Sequence, residues 1–177
     1  GDFIFDSEDN DGRPVKIYKY ASKESVIQEV EDSLKRLKTD YIDLIQLHWP
    51  DTTTPISETM EAMEILLQQG KVRSAGVSNY DVAQIIEARE TLAIVSDQVP
   101  YSMLKRDIED ELVPYTIKNN VGIIAYSPLE RGLLTGKYFK GETLQEKDHR
   151  NSYFNQFDLD KVQVFLKKLE GTRRNTM

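Results

Sequence analysis

Apolar residues recur at steps of four and three along "SKESVIQEVEDSLKRL", residues 22 to 37, where Val26, Val30, Leu34 and Leu37 fall on one stripe. That spacing predicts a helix with Ser22 as its N-cap and Lys35 and Arg36 in its last turn. "YIDLIQL", 41 to 47, is short, mostly apolar and partly β-branched, as a buried strand is. Thr54-Pro55 opens a second helix, because proline suits the first helical turn. That helix carries Met60, Met63 and Leu67 inward and stops at Gly70. The alternation then repeats. "VRSAGVS" (72–78), "AIVSDQV" (93–99) and "VGIIAYS" (121–127) read as strands, and "DVAQIIEARETL" (81–92) as a helix capped by Asp81. "IEDELVPYTIKNN" (108–120) reads as a further helix, with Pro114 near its first turn or at a kink, since an interior proline costs about 3 kcal/mol. "LDKVQVFLKKLEG" (159–171) predicts a closing helix. Residues 1 to 20 differ: "DFIF" and "VKIYKY" flank "DSEDNDGRP", whose Asp-Gly suggests a turn and hence a small excursion or hairpin.

The resulting order, helices alternating with strands, implies an α/β fold of about four parallel strands joined by crossover helices. No GxGxxG follows the first strand, so a dinucleotide-binding doubly wound sheet lacks its main signature. An eight-stranded (β/α)8 barrel is the competing architecture, and four strands are half of one. The expected organisation is a single domain over 1–177, with residues 1–21 a loop or hairpin, 22–140 the core βα units, and 141–177 a loop and final helix.

Composition narrows the function classes. The 177 residues are 39% hydrophobic and 30% charged, ordinary for a globular chain. No apolar run approaches a membrane span, and the first residues carry no signal-peptide pattern. Without cysteine, disulfides and thiolate metal sites are excluded, and with only His48 and His149 a histidine metal site is not expected. A net charge of −7 argues against a nucleic-acid face. A cytoplasmic location follows as the expectation.

In parallel α/β folds ligands sit beyond the C-terminal ends of the strands. The four predicted strands end in His48-Trp49, Ser78-Asn79, Gln98 and Tyr126-Ser127. That set suits a flat heteroaromatic ligand bearing an amide. Asn79 and Gln98 each offer a donor and an acceptor to match a carboxamide, Tyr126 a face for stacking, and His48 a group that exchanges a proton near neutral pH. Taken singly, Asn79 also fits a turn or cap before Asp81, Gln98 a solvated strand end, and Tyr126 half-buried packing. The following "SPLERGLLTGKY", 127 to 138, places Ser127, Arg131, Gly132, Gly136 and Lys137 where backbone N–H groups and two cations could surround a pyrophosphate. It is not a Walker loop, because its glycine spacing is short and Tyr138 stands where Ser or Thr would hold magnesium. A glycine-hinged surface loop is the alternative.

"SLKRLKTDYIDLIQLHWPD", "GKVRSAGVSNY", "DQVPYS" and "IIAYSPLERGLLTGKY" together resemble the aldo-keto reductases, in the branch of bacterial general-stress-protein-like and potassium-channel-β-subunit-like members. The resemblance covers about residues 22 to 140. It implies a (β/α)8 barrel of which this chain holds the fourth to seventh strands, and reduction of aldehydes and ketones with NADP(H). It implies that His48 is the catalytic histidine that orients the carbonyl, and that Trp49 lines the substrate pocket. Ser78, Asn79 and Gln98 match residues that bind the nicotinamide carboxamide, and Tyr126 the aromatic stacked on its ring. Ser127, Leu129, Arg131, Gly132 and Lys137 fall in the pyrophosphate loop.

The family's first three strands, with their catalytic Asp, Tyr and Lys, have no matching motif here, nor has the last strand. The opening segment resembles the loop after the third strand; in an alternative alignment "VKIYKY" is that strand and Lys19 the lysine. An unclosed parallel sheet leaves backbone groups unpaired, so homo-oligomerisation or association through open barrel edges is expected. Without the phenol that protonates the carbonyl, the resemblance implies negligible reductase activity of the chain alone. A non-catalytic nucleotide-binding module, like the channel β subunits, is the second expectation.

Overall fold

The computed structural model describes residues 1–9 and 11–174, arranged as two compact units. The first comprises residues 1–100 and 107–126, the second residues 101–106 and 127 onward.

The first unit opens with an antiparallel hairpin of β1 (Asp2–Glu8) and β2 (Pro14–Lys19). Its turn is closed by the Asp9 carboxylate, which accepts from the N–H groups of Asp11 and Arg13 at 2.9 Å each. Helix α1 (Lys23–Leu37) follows; the Ser22 hydroxyl accepts from the Ser25 N–H, as the sequence predicts, and Lys38 turns the chain out in the left-handed conformation. Val26, Val30 and Leu34 are buried, but Leu37 is 65% exposed. The inward stripe therefore ends one residue type early, because Leu37 sits at the helix end where the chain already turns away.

Strand β3 (Ile45–Leu47) is shorter than expected, its approach reduced to an isolated bridge between Ile42 and Val72. Helix α2 (Ile56–Gln68) has Pro55 at its N-cap and buries Met60, Ala62, Met63 and Leu66. Leu67, expected inside, is only half-buried, since the inward face runs through the i, i+4 pair Ala62 and Leu66. Then come β4 (Ala75–Ser78), α3 (Val82–Thr91), β5 (Ile94–Pro100), α4 (Leu112–Asn119) and β6 (Gly122–Tyr126). Asp81 and Gln84 form a reciprocal capping box on α3. Pro114 lies in the first turn of α4, where its missing N–H breaks no helical bond; a separate 3-10 turn, Asp107–Glu109, takes the residues expected to begin that helix.

The four strands β3-β4-β5-β6 form one parallel sheet in that order, an α/β arrangement with no closed barrel among the described residues. One face carries two apolar clusters: Val26, Val30, Leu34, Met63, Leu66 and Ala75 under α1 and α2, and Met60, Val77, Ile85, Ile94, Val99 and Leu112 under α2 to α4. Strand alternation turns Gly76 to the other face. A Cβ built there would lie 2.3 Å from Ser96 Oγ and 3.0 Å from the Ser96 carbonyl oxygen, so β4 and β5 need glycine for their close approach. Gly76→Ala is expected to destabilise the chain by about 1–3 kcal/mol, as overpacking does. A urea midpoint equal to that of the wild type would contradict the crowding.

The hairpin corrects one alternative alignment. β2 pairs antiparallel with β1 in a separate two-stranded sheet, so "VKIYKY" is not a strand of the parallel sheet and Lys19 does not stand at the mouth of one.

The second unit holds two 3-10 turns (Glu130–Thr135 and Lys137–Lys140), α5 (Arg150–Phe154) and α6 (Leu159–Arg174). Its core is Leu133, Phe154 and Val162, with Tyr138, Tyr153 and Phe157 packed against them. No described helix is long and apolar enough to cross a membrane.

Candidate active site

In the first unit every strand of the parallel sheet delivers one of the anticipated residues to the same rim. His48 and Trp49 follow β3, Ser78 ends β4, Gln98 lies near the end of β5 opposite Ser78, and Tyr126 ends β6. Asn79 ties these ends together. It adopts φ +62°, a left-handed conformation that asparagine tolerates better than most residues. Its side-chain Nδ2 donates to the His48 carbonyl at 3.1 Å and to Ser78 Oγ at 3.0 Å, while its Oδ1 accepts from the Tyr126 hydroxyl at 2.9 Å. Its backbone N–H and the Ser78 hydroxyl both donate to the Gln98 carbonyl, at 3.0 and 2.7 Å. Asn79 thus joins four strand ends, three through its carboxamide and that of β5 through its backbone N–H.

The ring and amide groups that face outward from this knot differ in exposure. Ser78 is buried; Asn79, Gln98 and Tyr126 are half-buried; His48 and Trp49 are exposed. The imidazole and indole lie 6.2 Å apart between centroids, and Lys19 Nζ sits 4.4 Å over the indole. A cavity of about 600 Å³ opens beside them, walled by Ile4, Phe5, Ile17 and Leu47. Among the described residues the Gln98 side-chain amide has no protein hydrogen-bond partner, so its donor and acceptor are open to a ligand.

Two buried carboxylates of this unit behave oppositely. Burial pushes the Asp51 pKa up, but hydrogen bonds from Thr53, Thr54 and the Ala21 N–H outweigh it and hold the group at about 2. Asp97, beside Gln98, has neither oxygen hydrogen-bonded and is fully buried. Burial raises its pKa to about 7.

In the second unit the expected pyrophosphate loop contains consecutive left-handed residues: Glu130 at φ +48°, Arg131 at +52° and Gly132 at +95°. Ser127, also left-handed at +54°, starts it; Leu129 is exposed. Two of the residues expected around an anion, Gly132 and Gly136, have their N–H groups committed inside the loop, to the Leu129 and Leu133 carbonyls; the neighbouring N–H groups of Glu130 and Leu134 donate to the Ser127 and Leu129 carbonyls. The Lys137 Cε packs beside Gly132, and its Nζ pairs with Glu142 at 2.7 Å, a contact that raises the ammonium pKa. The Arg131 guanidinium lies 3.8 Å from the centroid of Tyr153. Sequence reasoning passed over Asp97, Glu130, Ser102 and Tyr153, because no spacing rule marks a lone polar residue whose partners are distant in the chain.

The sequence model of the Aldo/keto reductase family matches residues 12–173. Aldo-keto reductase YhdN of Bacillus subtilis (strain 168) is 42% identical over 136 residues, which are 77% of this chain and 41% of that protein. Among solved structures, the glycerol dehydrogenase AKR11B4 from Gluconobacter oxydans superposes with a TM-score of 0.86 at 34% identity, covering 98% of this chain and 53% of that one. An aldo-keto reductase from Klebsiella pneumoniae in complex with NADPH gives a TM-score of 0.60 at 33% identity, covering 70% of this chain and 48% of that one. The chain therefore spans about half the length, or less, of the relatives it matches.

Proposed function

Because the chain belongs to the aldo/keto reductase family, we propose that it carries the nicotinamide-binding and carbonyl-orienting residues of an NADPH-dependent reductase of aldehydes and ketones. The observation that carries this reading is the Asn79 knot, which ties together the strand ends that bear an imidazole, two amides and a phenol. The residues fit the cofactor chemically. The unpartnered Gln98 amide matches a carboxamide, the Tyr126 ring offers a stacking face, and Arg131 and Lys137 offer positive charge to a pyrophosphate, in a loop that also contains Ser127, Leu129 and Gly132. The Klebsiella relative, solved with NADPH, supports the phosphorylated cofactor.

A bound reduced nicotinamide supplies the hydride. The unpartnered Gln98 amide would hold its carboxamide beside Ser78 and Asn79, whose side chains are braced by one another and by the neighbouring strand ends, and so would set which face of the ring is presented. Tyr126 stacks on the ring and is itself held through its hydroxyl by Asn79. His48 donates a hydrogen bond to the carbonyl oxygen, orienting it and assisting proton delivery as negative charge develops there. Trp49 bounds the substrate side. The family's proton-donating tyrosine and its Asp and Lys partners have no matching motif in these residues. General acid catalysis typically contributes about 10² to 10⁴-fold, so the 177-residue chain alone is expected to bind NADPH with negligible turnover.

Titrating the chain with NADPH, followed by nicotinamide fluorescence, and assaying it with an activated aldehyde separates the two parts of the proposal. Saturable binding without measurable oxidation is the expected result. Absence of binding removes the functional reading; turnover matching that of YhdN removes the claim of dependence on further catalytic groups.

A further inference from the structure

Glu130 is fully buried in the second unit, and both of its carboxylate oxygens are engaged. Ser102 Oγ donates to one and the Tyr153 hydroxyl to the other, each at 2.5 Å. Ser102 is fixed in turn, its Oγ accepting from the N–H groups of Leu104 and Lys105 at 3.1 and 3.0 Å. The Tyr153 ring so anchored carries two cations: the Arg131 guanidinium at 3.8 Å from its centroid and Lys105 Nζ at 5.0 Å, the latter also 3.3 Å from the hydroxyl. A buried acid in a glycine-rich loop thus holds the aromatic platform on which the next residue's side chain rests.

The backbone says the same. Glu130 and Arg131 are both left-handed without being glycine, a conformation that crowds the Cβ against the following carbonyl oxygen. Such strain persists only where the surroundings over-determine it. Here the determinant is the charge-assisted pair of hydrogen bonds to the Glu130 carboxylate, the stronger class of such bonds. The left-handed step at Arg131 sends its guanidinium to the Tyr153 face, where it remains exposed. A planar cation stacked on a ring is pre-organised for an anion, and loses less side-chain freedom on binding than one in solvent.

We propose that Glu130 is a positioning residue for the pyrophosphate: through Ser102 and Tyr153 it locks the 130–132 turn and poses Arg131 for the anion. This rests on the cofactor reading above. It also explains why the loop places an acid next to its anion-binding arginine, a choice that electrostatics alone disfavours; both carboxylate oxygens are turned inward and satisfied.

The test uses the full chain and two probes, NADPH and reduced nicotinamide mononucleotide, which lacks the pyrophosphate bridge. Glu130→Gln is expected to weaken NADPH about tenfold, the scale of one charge-assisted contact, and to leave the mononucleotide within about twofold. Arg131→Ala behaves alike, and the double variant is no weaker than Arg131→Ala alone, since the two residues act in series. Tyr153→Phe keeps the ring under Arg131 and retains more affinity than Tyr153→Leu, which guards against a folding artefact in the Glu130 variant. Additive losses, equal weakening of both probes, or an unchanged NADPH affinity each overturn the proposal. A wild-type chain that binds neither probe overturns the cofactor reading as well, and is distinguished by that alone.

Discussion

Replacing Asp97 by asparagine is expected to stabilise the chain at pH 8 by on the order of 3 kcal/mol, and to leave it little changed near pH 4. The cause is an acid held at about 7 by burial, in a cluster that gives its oxygens no hydrogen bond. The unfolded chain ionises this group near the ordinary aspartate value of about 4. Below that pH the carboxyl is protonated in both states and contributes nothing to the slope. Between about 4 and 7 only the unfolded chain releases the proton, so the unfolded state gains and stability falls as pH rises. Above about 7 the folded state ionises too, and the loss levels off. Asparagine mimics the neutral acid in size and cannot ionise, so it removes the whole slope. Asp51 works with the opposite sign: its pKa of about 2 gives stability present above pH 4 and lost on acidification. Urea midpoints of wild type and Asp97→Asn from pH 5 to 9 isolate the Asp97 contribution from that acid-side effect. A difference between the two proteins that stays constant over this range refutes the raised pKa.

What the sequence made legible was local or followed from topology. Ser22 and Asp81 cap their helices because a short polar side chain beside an apolar repeat needs no tertiary help to accept an N–H. The rim was legible for a geometric reason. Once strands alternate with crossover helices they run parallel, and the residues at their C-terminal ends share one side of the sheet. Leu67 packs against the core as its spacing predicts but is less buried than Leu66, because periodicity locates a face only to within about a residue and the packing of α2 sets its centre. β3 shrank to Ile45–Leu47 because an apolar run does not show where regular pairing with a neighbour begins. The stretch from 127 to 157 was the least legible. Its form depends on Glu130 meeting Ser102, 28 residues away, and Tyr153, 23 residues away. In the sequence, Glu130 beside Arg131 reads as surface charge. Asp97 was hidden for the same reason, since burial without a partner leaves no mark in spacing.

Asn79 offers the largest effect on binding, and two substitutions there separate backbone from side chain. Asn79→Gly accepts φ +62° without strain but deletes the bonds to the His48 carbonyl, Ser78 Oγ and the Tyr126 hydroxyl. Asn79→Ala deletes the same bonds and adds the left-handed penalty of about 1–2 kcal/mol. The glycine variant is therefore expected to fold with a urea-derived stability lower by about 1–2 kcal/mol, as for lost hydrogen bonds that water can partly replace. The alanine variant should fall further by the strain alone. Affinity for NADPH should drop at least tenfold in both, and to a similar degree, because binding depends on the carboxamide and not on the φ value. The order of stabilities, wild type above glycine above alanine, thus differs from the pattern of affinities, in which the two variants group together. If the glycine variant binds NADPH as tightly as the wild type, the Asn79 knot is only a clasp between strand ends. The nicotinamide would then be held, if at all, by Gln98 and Tyr126 without it.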